Sequence, residues 1–380
     1  MRSFRFSRCG PLVVVVILAA ATTGAGTPGN PAAISKWSEV SPVPLPSGFT
    51  NSVLEDVAAS GPGEVWAVGS AWTADRQPFV LHGTGTSWEV GTLPRTAAGS
   101  YLTAVDAVAI DDVWAAGAGV TLLHFDGTAW STAPAPAAAP GTEDDLEGLD
   151  LRTADDGWAV GDTVGGSAPV PLVLRLQHGR WVRSAAPKIV DARLTSVESF
   201  SATDAWAAGT RMVGGVQLPL VLHWDGVAWT EVTVPAPAGT VLNSVAGIGP
   251  SDLWAAGTSC RTACSAVVLH LLRGRWESVP VSGGTEVTEV LPVSATAVWT
   301  VGFDRSATGV QSRRVEFWNG TGFTREQTPL EPTSTGGGSN GEPASAAPLA
   351  GATADPVSGS LWAVGWSQGV PRLPRIIRRD

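Results

Sequence analysis

The stretch Ala205-Trp206-Ala207-Ala208-Gly209 is followed by Pro219-Leu220-Val221-Leu222-His223-Trp224-Asp225-Gly226 and then by Trp229-Thr230-Glu231-Val232. Two apolar runs flank an Asp-Gly dipeptide, the strongest short-range signal for a β-hairpin. The first element returns seven times, centred on Trp66, Trp114, Trp158, Trp206, Trp254, Trp299 and Trp362, at spacings of 48, 44, 48, 48, 45 and 63 residues. A Gly/Ser/Pro/Ala-rich insertion, residues 329–348, inflates the last spacing.

The register extends to both sides of each Trp. Apolar residues stand twelve and nine positions before it, as in Leu54 and Val57 or Leu194 and Val197. An acid stands two before it in five repeats: Glu64, Asp112, Asp156, Asp204 and Asp252. A second aromatic follows the X-Gly turn: Trp88, Trp130, Trp181, Trp229, Trp276 and Phe323. Each repeat therefore reads as four short antiparallel strands, a to d. Four-stranded units recurring about every 47 residues describe a β-propeller, here with seven blades.

The two ends complete this reading. Pro374 to Asp380 aligns with Pro219 to Asp225, so the chain stops in strand c of blade 7. The missing strand d sits at the other terminus, where Trp37-Ser38-Glu39-Val40 matches Trp229-Thr230-Glu231-Val232. Blade 7 is expected from residues 349–380 plus 36–41, so that pairing across the termini closes the ring and removes an open edge. Alternation along strand b predicts that Trp66 and Val68 face one neighbouring blade, while Ala67 and Gly69 face the other.

Composition agrees. The chain has 45 Gly, 28 Pro and 17 Trp among 380 residues, with 44% hydrophobic and 15% charged residues. That is enough apolar surface for a core and too few charges for long amphipathic helices or disorder. Ahead of the repeats, Arg2, Arg5 and Arg8 precede an apolar run from Pro11 to Ala21 and a small-residue zone. This is the pattern of a secretory signal over residues 1–25, cleaved after Ala21 or Ala25. The run is too short for a bilayer that needs about 20 apolar residues. Residues 26–35 read as a linker, and residues 36–380 as the propeller, with no membrane span after cleavage.

The formal net charge is −10, and cleavage removes three more basic side chains. So acidic a surface repels phosphate backbones, which excludes nucleic acid as the expected partner. Cys9 leaves with the signal; Cys260 and Cys264 form an even pair expected to be a disulfide in an oxidising compartment.

Function on a repeat fold sits in what does not repeat. His82, His124, His223 and His270 share one repeat column and are spread around the ring, so they cannot converge on one metal. The repeated acids are expected to cap the a–b turn through side-chain to backbone hydrogen bonds. The longer b–c and d–a loops lie on one face. They carry the candidate ligand-binding residues Trp72, Asp75, Arg76, Tyr101, Arg211, Asp304, Arg305 and Trp366. Arg261, between the two cysteines, adds a fourth b–c arginine, and such a rim suits carboxylate or sulfate groups. The run Glu143-Asp144-Asp145 is a candidate cation site. No nucleophile elbow, HExxH or Walker loop occurs, so no catalytic residue, metal or cofactor is assigned.

The repeat Val-Trp-Ala-Val-Gly … Pro-Leu-Val-Leu-His-Trp-Asp-Gly-x-x-Trp resembles secreted propeller repeats of high-GC Gram-positive bacteria, of the kelch/galactose-oxidase-like or sialidase-like kind. That resemblance implies architecture rather than activity. The Gly-Gly doublet of kelch repeats does not recur, and a single Tyr excludes the usual galactose oxidase ligand set. The sialidase boxes are absent, and Trp-Asp, the WD40 ending, occurs once, at Trp224-Asp225. The expected function is a secreted or cell-wall-associated, monomeric, non-catalytic binding or scaffold propeller. It would engage a protein or an envelope or environmental glycan through the b–c and d–a face. The alternative is a glycan-active hydrolase or lyase with a central-channel site.

Overall fold

The computed structural model describes residues 36–329 and 348–380, apart from Thr86, Ser167, Thr262, Thr308 and Gly369. The expected signal and linker, and nearly all of the 329–348 insertion, lie outside the described residues. Among the described residues, 28 strands form seven four-stranded antiparallel sheets, the blades of a seven-bladed β-propeller. No helix among them is long and apolar enough to cross a membrane.

Blade 1 shows the plan: strand a Asn51–Gly61, b Glu64–Trp72, c Arg76–Thr84 and d Ser87–Val90, in that order across the sheet. In blade 7, strands a to c are Leu349–Ala354, Leu361–Trp366 and Pro374–Arg379, and Trp37–Glu39 supplies strand d. Trp37 faces Arg379 and Glu39 faces Ile377 in register, and the Val40 amide donates to the Ile376 carbonyl at 3.0 Å. Side chains lock this joint to blade 6. Trp37 Nε1 donates to Glu326 at 2.7 Å, and Arg313 Nη1 lies 2.8 Å from a Glu39 oxygen.

The core lies between blades. Trp206, Ala208 and Val221 of blade 4 pack against Leu242, Val245, Leu253 and Ala255 of blade 5. Trp66 and Val68 likewise face blade 2, while Ala67 faces Trp362 and Val364 of blade 7, the expected alternation. Burying one Trp removes about 150–250 Å² from water, on the order of 4–6 kcal/mol gross.

The glycine of the strand-b motif has a different reason from blade nesting. Strand a carries a β-bulge one residue after Leu54, Leu102, Leu146, Leu194, Leu242, Val287 and Leu349. Each bulge turns a carbonyl toward strand b of the same blade. A Cβ at Gly69 would stand 2.1 Å from the Val53 oxygen, and one at Gly161 2.0 Å from the Asp145 oxygen. Adjacency within the blade, rather than the neighbouring sheet, therefore demands glycine here.

Candidate functional site

Strand a is the innermost strand, and its inward side chains line the central channel. Carboxylates from five blades enter there, Asp56, Asp106, Asp150, Glu198 and Glu289, joined toward the mouth by Glu55 and Glu147. They border a cavity of about 290 Å³. Most of them also staple one blade to the next. Asp56 accepts the Val57 amide of its own strand and the Val105 amide of blade 2, both at 2.8 Å. Asp106 accepts Ala107 at 2.7 Å and Leu151 of blade 3 at 2.5 Å. Asp150 accepts the Ser199 amide of blade 4 at 2.8 Å and pairs with its hydroxyl. In blade 5, Ser244 donates to Glu289 of blade 6 at 2.5 Å and accepts the Val290 amide at 3.2 Å. A second row of clips lies toward the channel mouth, where Thr103, Thr195 and Thr288 hydroxyls donate to the next blade's carbonyls Leu146, Leu242 and Leu349 at 2.7–2.8 Å.

Burial disfavours charge on these groups. It pushes Asp56 up to about 7 against the pull of the Val105 and Val57 amides, and Asp106 up to about 6. Burial, then the Asp106 charge, raises Asp150 to about 7. Glu289 reaches about 8 through burial and the nearby Asp56, and Glu198 is raised well above the usual range.

Sequence reasoning missed this set. The available signal was an acid eight residues before the Trp in three successive repeats, Asp106, Asp150 and Glu198. A polar residue on a strand usually marks the solvent face, so the column looks unremarkable until the strand is known to be innermost.

On the b–c and d–a face the channel opens into a funnel of about 450 Å³. Strand a supplies Glu55 and Glu147 to its floor. The ends of strand b supply Phe303, Arg305 and Trp366 to its wall. Burial, then repulsion from Asp162 and Asp145, pushes Glu147 up to about 7. Burial raises Glu55 against the attraction of Arg76 and Arg372, and raises Glu286 against that of Arg305. Arg305 is 4.0 Å from Glu286 and 5.4 Å from the Phe303 ring.

The sequence-chosen residues fall into two groups and several separate pairs. Arg76 lies 5.2 Å from the Trp72 ring and 5.4 Å from the Tyr101 ring, a cation held between two aromatics. Burial and the charges of Asp145 and Glu147 raise the Tyr101 hydroxyl. Arg305 and Trp366 share the funnel wall. Asp75 is exposed beside Arg76. Arg211 instead pairs at 3.0 Å with Glu231 on the outer strand. Asp304 is held by Arg314 at 3.1 Å and Arg325 at 3.0 Å. Cys260 and Cys264 face each other across the b–c turn of blade 5 and are joined as a disulfide, with Arg261 exposed beside it. The Glu143-Asp144-Asp145 run is not loop but the start of strand a of blade 3. Asp144 is buried against Thr163 and Arg183, and Asp145 accepts the Gly119 amide at 2.9 Å. Among the described residues, no three His, Cys, Asp or Glu side chains are placed to hold one metal ion.

The acids two before each Trp do not cap the turn as expected. Side chains two apart share a strand face, so the acid lies beside the Trp and meets the residue paired with it on strand c. That residue is a His in four blades. His82, His124, His223 and His270 stack on Trp66, Trp114, Trp206 and Trp254 at 3.9–4.3 Å, and each Nε2 lies 2.7–3.1 Å from Glu64, Asp112, Asp204 or Asp252. Asp112 and Asp204 also accept the indole N–H of their Trp, at 3.0 and 3.1 Å. In blade 3, Arg175 takes the His place, 4.8 Å from the Trp158 ring and 3.4 Å from Asp156. These clusters hold the b–c ladder. Asp252→Ala is expected to cost about 1–2 kcal/mol by leaving His270 without its acceptor, read as a lower urea midpoint with an unchanged m value.

No family model matches the chain, and no curated protein matches it. Solved structures do. YCF48 from Cyanidioschyzon merolae is similar at TM-score 0.54 and 15% identity, over 91% of this chain and 98% of that one. A structure described as YCF48 bound to D1 peptide is similar at TM-score 0.57 and 13% identity, over 90% and 96%. The WD40 propeller domain of Doa1 is similar at TM-score 0.57 and 11% identity, over 90% and 97%. At these identities the likeness is one of fold.

Proposed function

We propose that this is a secreted, non-catalytic binding propeller that receives a protein segment on its b–c and d–a face, over the channel mouth. The funnel carries the reading: a preformed depression with Trp366 on its wall and Glu55, Glu147 and Glu286 around it. Aromatic area beside carboxylates suits a basic side chain with an apolar stem. Two of the loop arginines that would draw an anion face acids, Arg211 at Glu231 and Arg305 at Glu286, while the channel behind the funnel is acidic. The peptide-bound YCF48 structure, similar in fold, supports protein binding as the class of function. The disulfide and the signal-like N-terminus support export. The channel carboxylates support a non-catalytic reading, because Asp56, Asp106 and Asp150 are engaged by backbone amides and Glu289 by the Ser244 hydroxyl.

The test is calorimetric titration of the exported chain with a lysine-rich and a glutamate-rich peptide of equal length. The lysine peptide is expected to bind, and Trp366→Ala with Glu147→Gln to weaken it at least tenfold, about 1.4 kcal/mol. Binding of the glutamate peptide instead, lost in a variant lacking Arg76, Arg211 and Arg305, would replace the basic partner with an acidic one. A glycan-active hydrolase is the second reading, favoured by the raised carboxyl of Glu147 at the same mouth as Glu55. It requires polysaccharide turnover by the wild type that Glu147→Gln abolishes.

A further inference from the structure

The channel sets a charge problem. Asp56, Asp106, Asp150, Glu198 and Glu289 converge from five blades on one cavity, and among the described residues no Lys, Arg or His lines it. Each group faces further acids. Asp56 meets Asp106 and Glu55; Asp106 meets Asp112; Asp150 meets Asp106 and Asp156. Glu198 meets Asp150, Asp106 and Glu289, and Glu289 meets Asp56. The basic groups in range stop at the mouth, where Arg76 and Arg372 act on Glu55 and Arg193 on Glu147. Like charges gathered in a poorly solvated site cannot all ionise cheaply. Something must neutralise them, and no three acids among the described residues are placed around one metal position.

We propose that the channel is a proton-linked brace: as pH falls, its carboxyls take up protons in the native ring, and the blade-to-blade joints they span become harder to open. The staples are the device. Asp56, Asp106 and Asp150 each accept an amide of the following blade, so these three groups join an arc of four successive blades. A protonated carboxyl keeps an acceptor oxygen for that amide and adds a donor, while mutual repulsion across the cavity disappears. Full ionisation loads the same joints with repulsion.

The direction of the pH dependence follows. Burial raises these carboxyls into the range of about 6 to about 8, while in the unfolded chain they titrate near 4. Between those limits the native ring holds more protons than the unfolded chain. Stability therefore declines as pH rises from about 4 to about 8 and levels off above. Asp126, Asp225 and Asp355 act oppositely. Turn amides hold the exposed Asp126 and Asp225 down, and the Ser358 hydroxyl and nearby amides outweigh burial at Asp355, so their contribution is lost only below the ordinary carboxylate range.

Thermal melts at constant ionic strength test this. The midpoint is expected to fall by about 5 °C or more from pH 5 to pH 8.5. The Asp106→Asn, Asp150→Asn, Glu198→Gln variant should flatten most of that slope, which separates the channel from the four stacked histidines outside it. A wild-type midpoint that is flat or rises across this range overturns the proposal. Infrared spectra of the native wild type supply a readout that needs no variant: a protonated-carboxyl band is expected at pH 7 and should vanish by pH 9. Its absence at pH 7 overturns the proposal. So does millimolar calcium chloride raising the pH 8.5 midpoint as far as acid does, because the neutralising species would then be a cation.

Discussion

Gly161→Ala is expected to destabilise the protein by roughly 3–5 kcal/mol, among the largest effects of any single methyl group here. A Cβ at this position would stand 2.0 Å from the Asp145 oxygen and 2.9 Å from the Leu146 Cα. Both are backbone atoms of strand a in the same blade, so no rotamer change relieves the contact. The bulge after Leu146 would have to unwind, and with it the stretch that carries Glu147 and Asp150 into the channel. The same geometry recurs at Gly257, 2.0 Å from the Val241 oxygen, so the effect should transfer between blades. Gly249→Ala is the control. It has no atom within 4 Å of its added Cβ and should stay within about 0.5 kcal/mol of the parent. Urea unfolding of the three variants checks this, and a Gly161→Ala cost below about 1 kcal/mol would mean that the bulge yields easily.

Trp37→Ala is expected to cost about 3–5 kcal/mol and to open the ring at one place. Trp37 is 5% exposed, packed against Trp299, Leu361, Ala363 and Ile377, and its indole donates to Glu326. Its strand is only three residues long, so little else holds it. Without the indole, strand d of blade 7 should detach before the other blades melt, exposing the edge of strand c at Pro374–Arg379. Hydrogen exchange should show early loss of protection at Ile376 and Arg378, whose amides face strand d, with Leu220 to Leu222 in blade 4 unaffected. Uniform loss around the ring would instead show that closure and blade stability are one cooperative event. An unpaired edge also invites association, so the variant should elute earlier on sizing as concentration rises.

The repeat made the fold legible because packing in a propeller is nearly one-dimensional. Each blade solves the same problem, so strand-b Trp, hairpin Asp-Gly and strand-d aromatic return at the same offsets, and the unmatched Trp37 marks the closing strand. The turn chemistry is equally local: Asp126 Oδ1 accepts the Thr128 and Ala129 amides, and Gly127 adopts φ 85°. The same register places loop residues such as Trp72, Arg305 and Trp366 at the b–c ends of their strands. Their partners were not readable, since Arg211 meets Glu231 and Asp304 meets Arg314 only after strands distant in sequence align.

What the sequence determined by itself is the part governed by period: seven blades, four strands each, which side of strand b faces which neighbour, and closure across the termini. Tertiary structure alone decided what faces the axis. Asp106, Asp150 and Glu198 lie 44 and 48 residues apart along the chain, and nothing in a single repeat marks them as neighbours. Only ring closure brings successive strands a around one narrow channel, where like charges gather and Asp56, Asp106 and Asp150 each meet the next blade's amide. The proton linkage and the acidic funnel arise from that convergence, because electrostatic energy depends on distance and burial rather than on position in the chain.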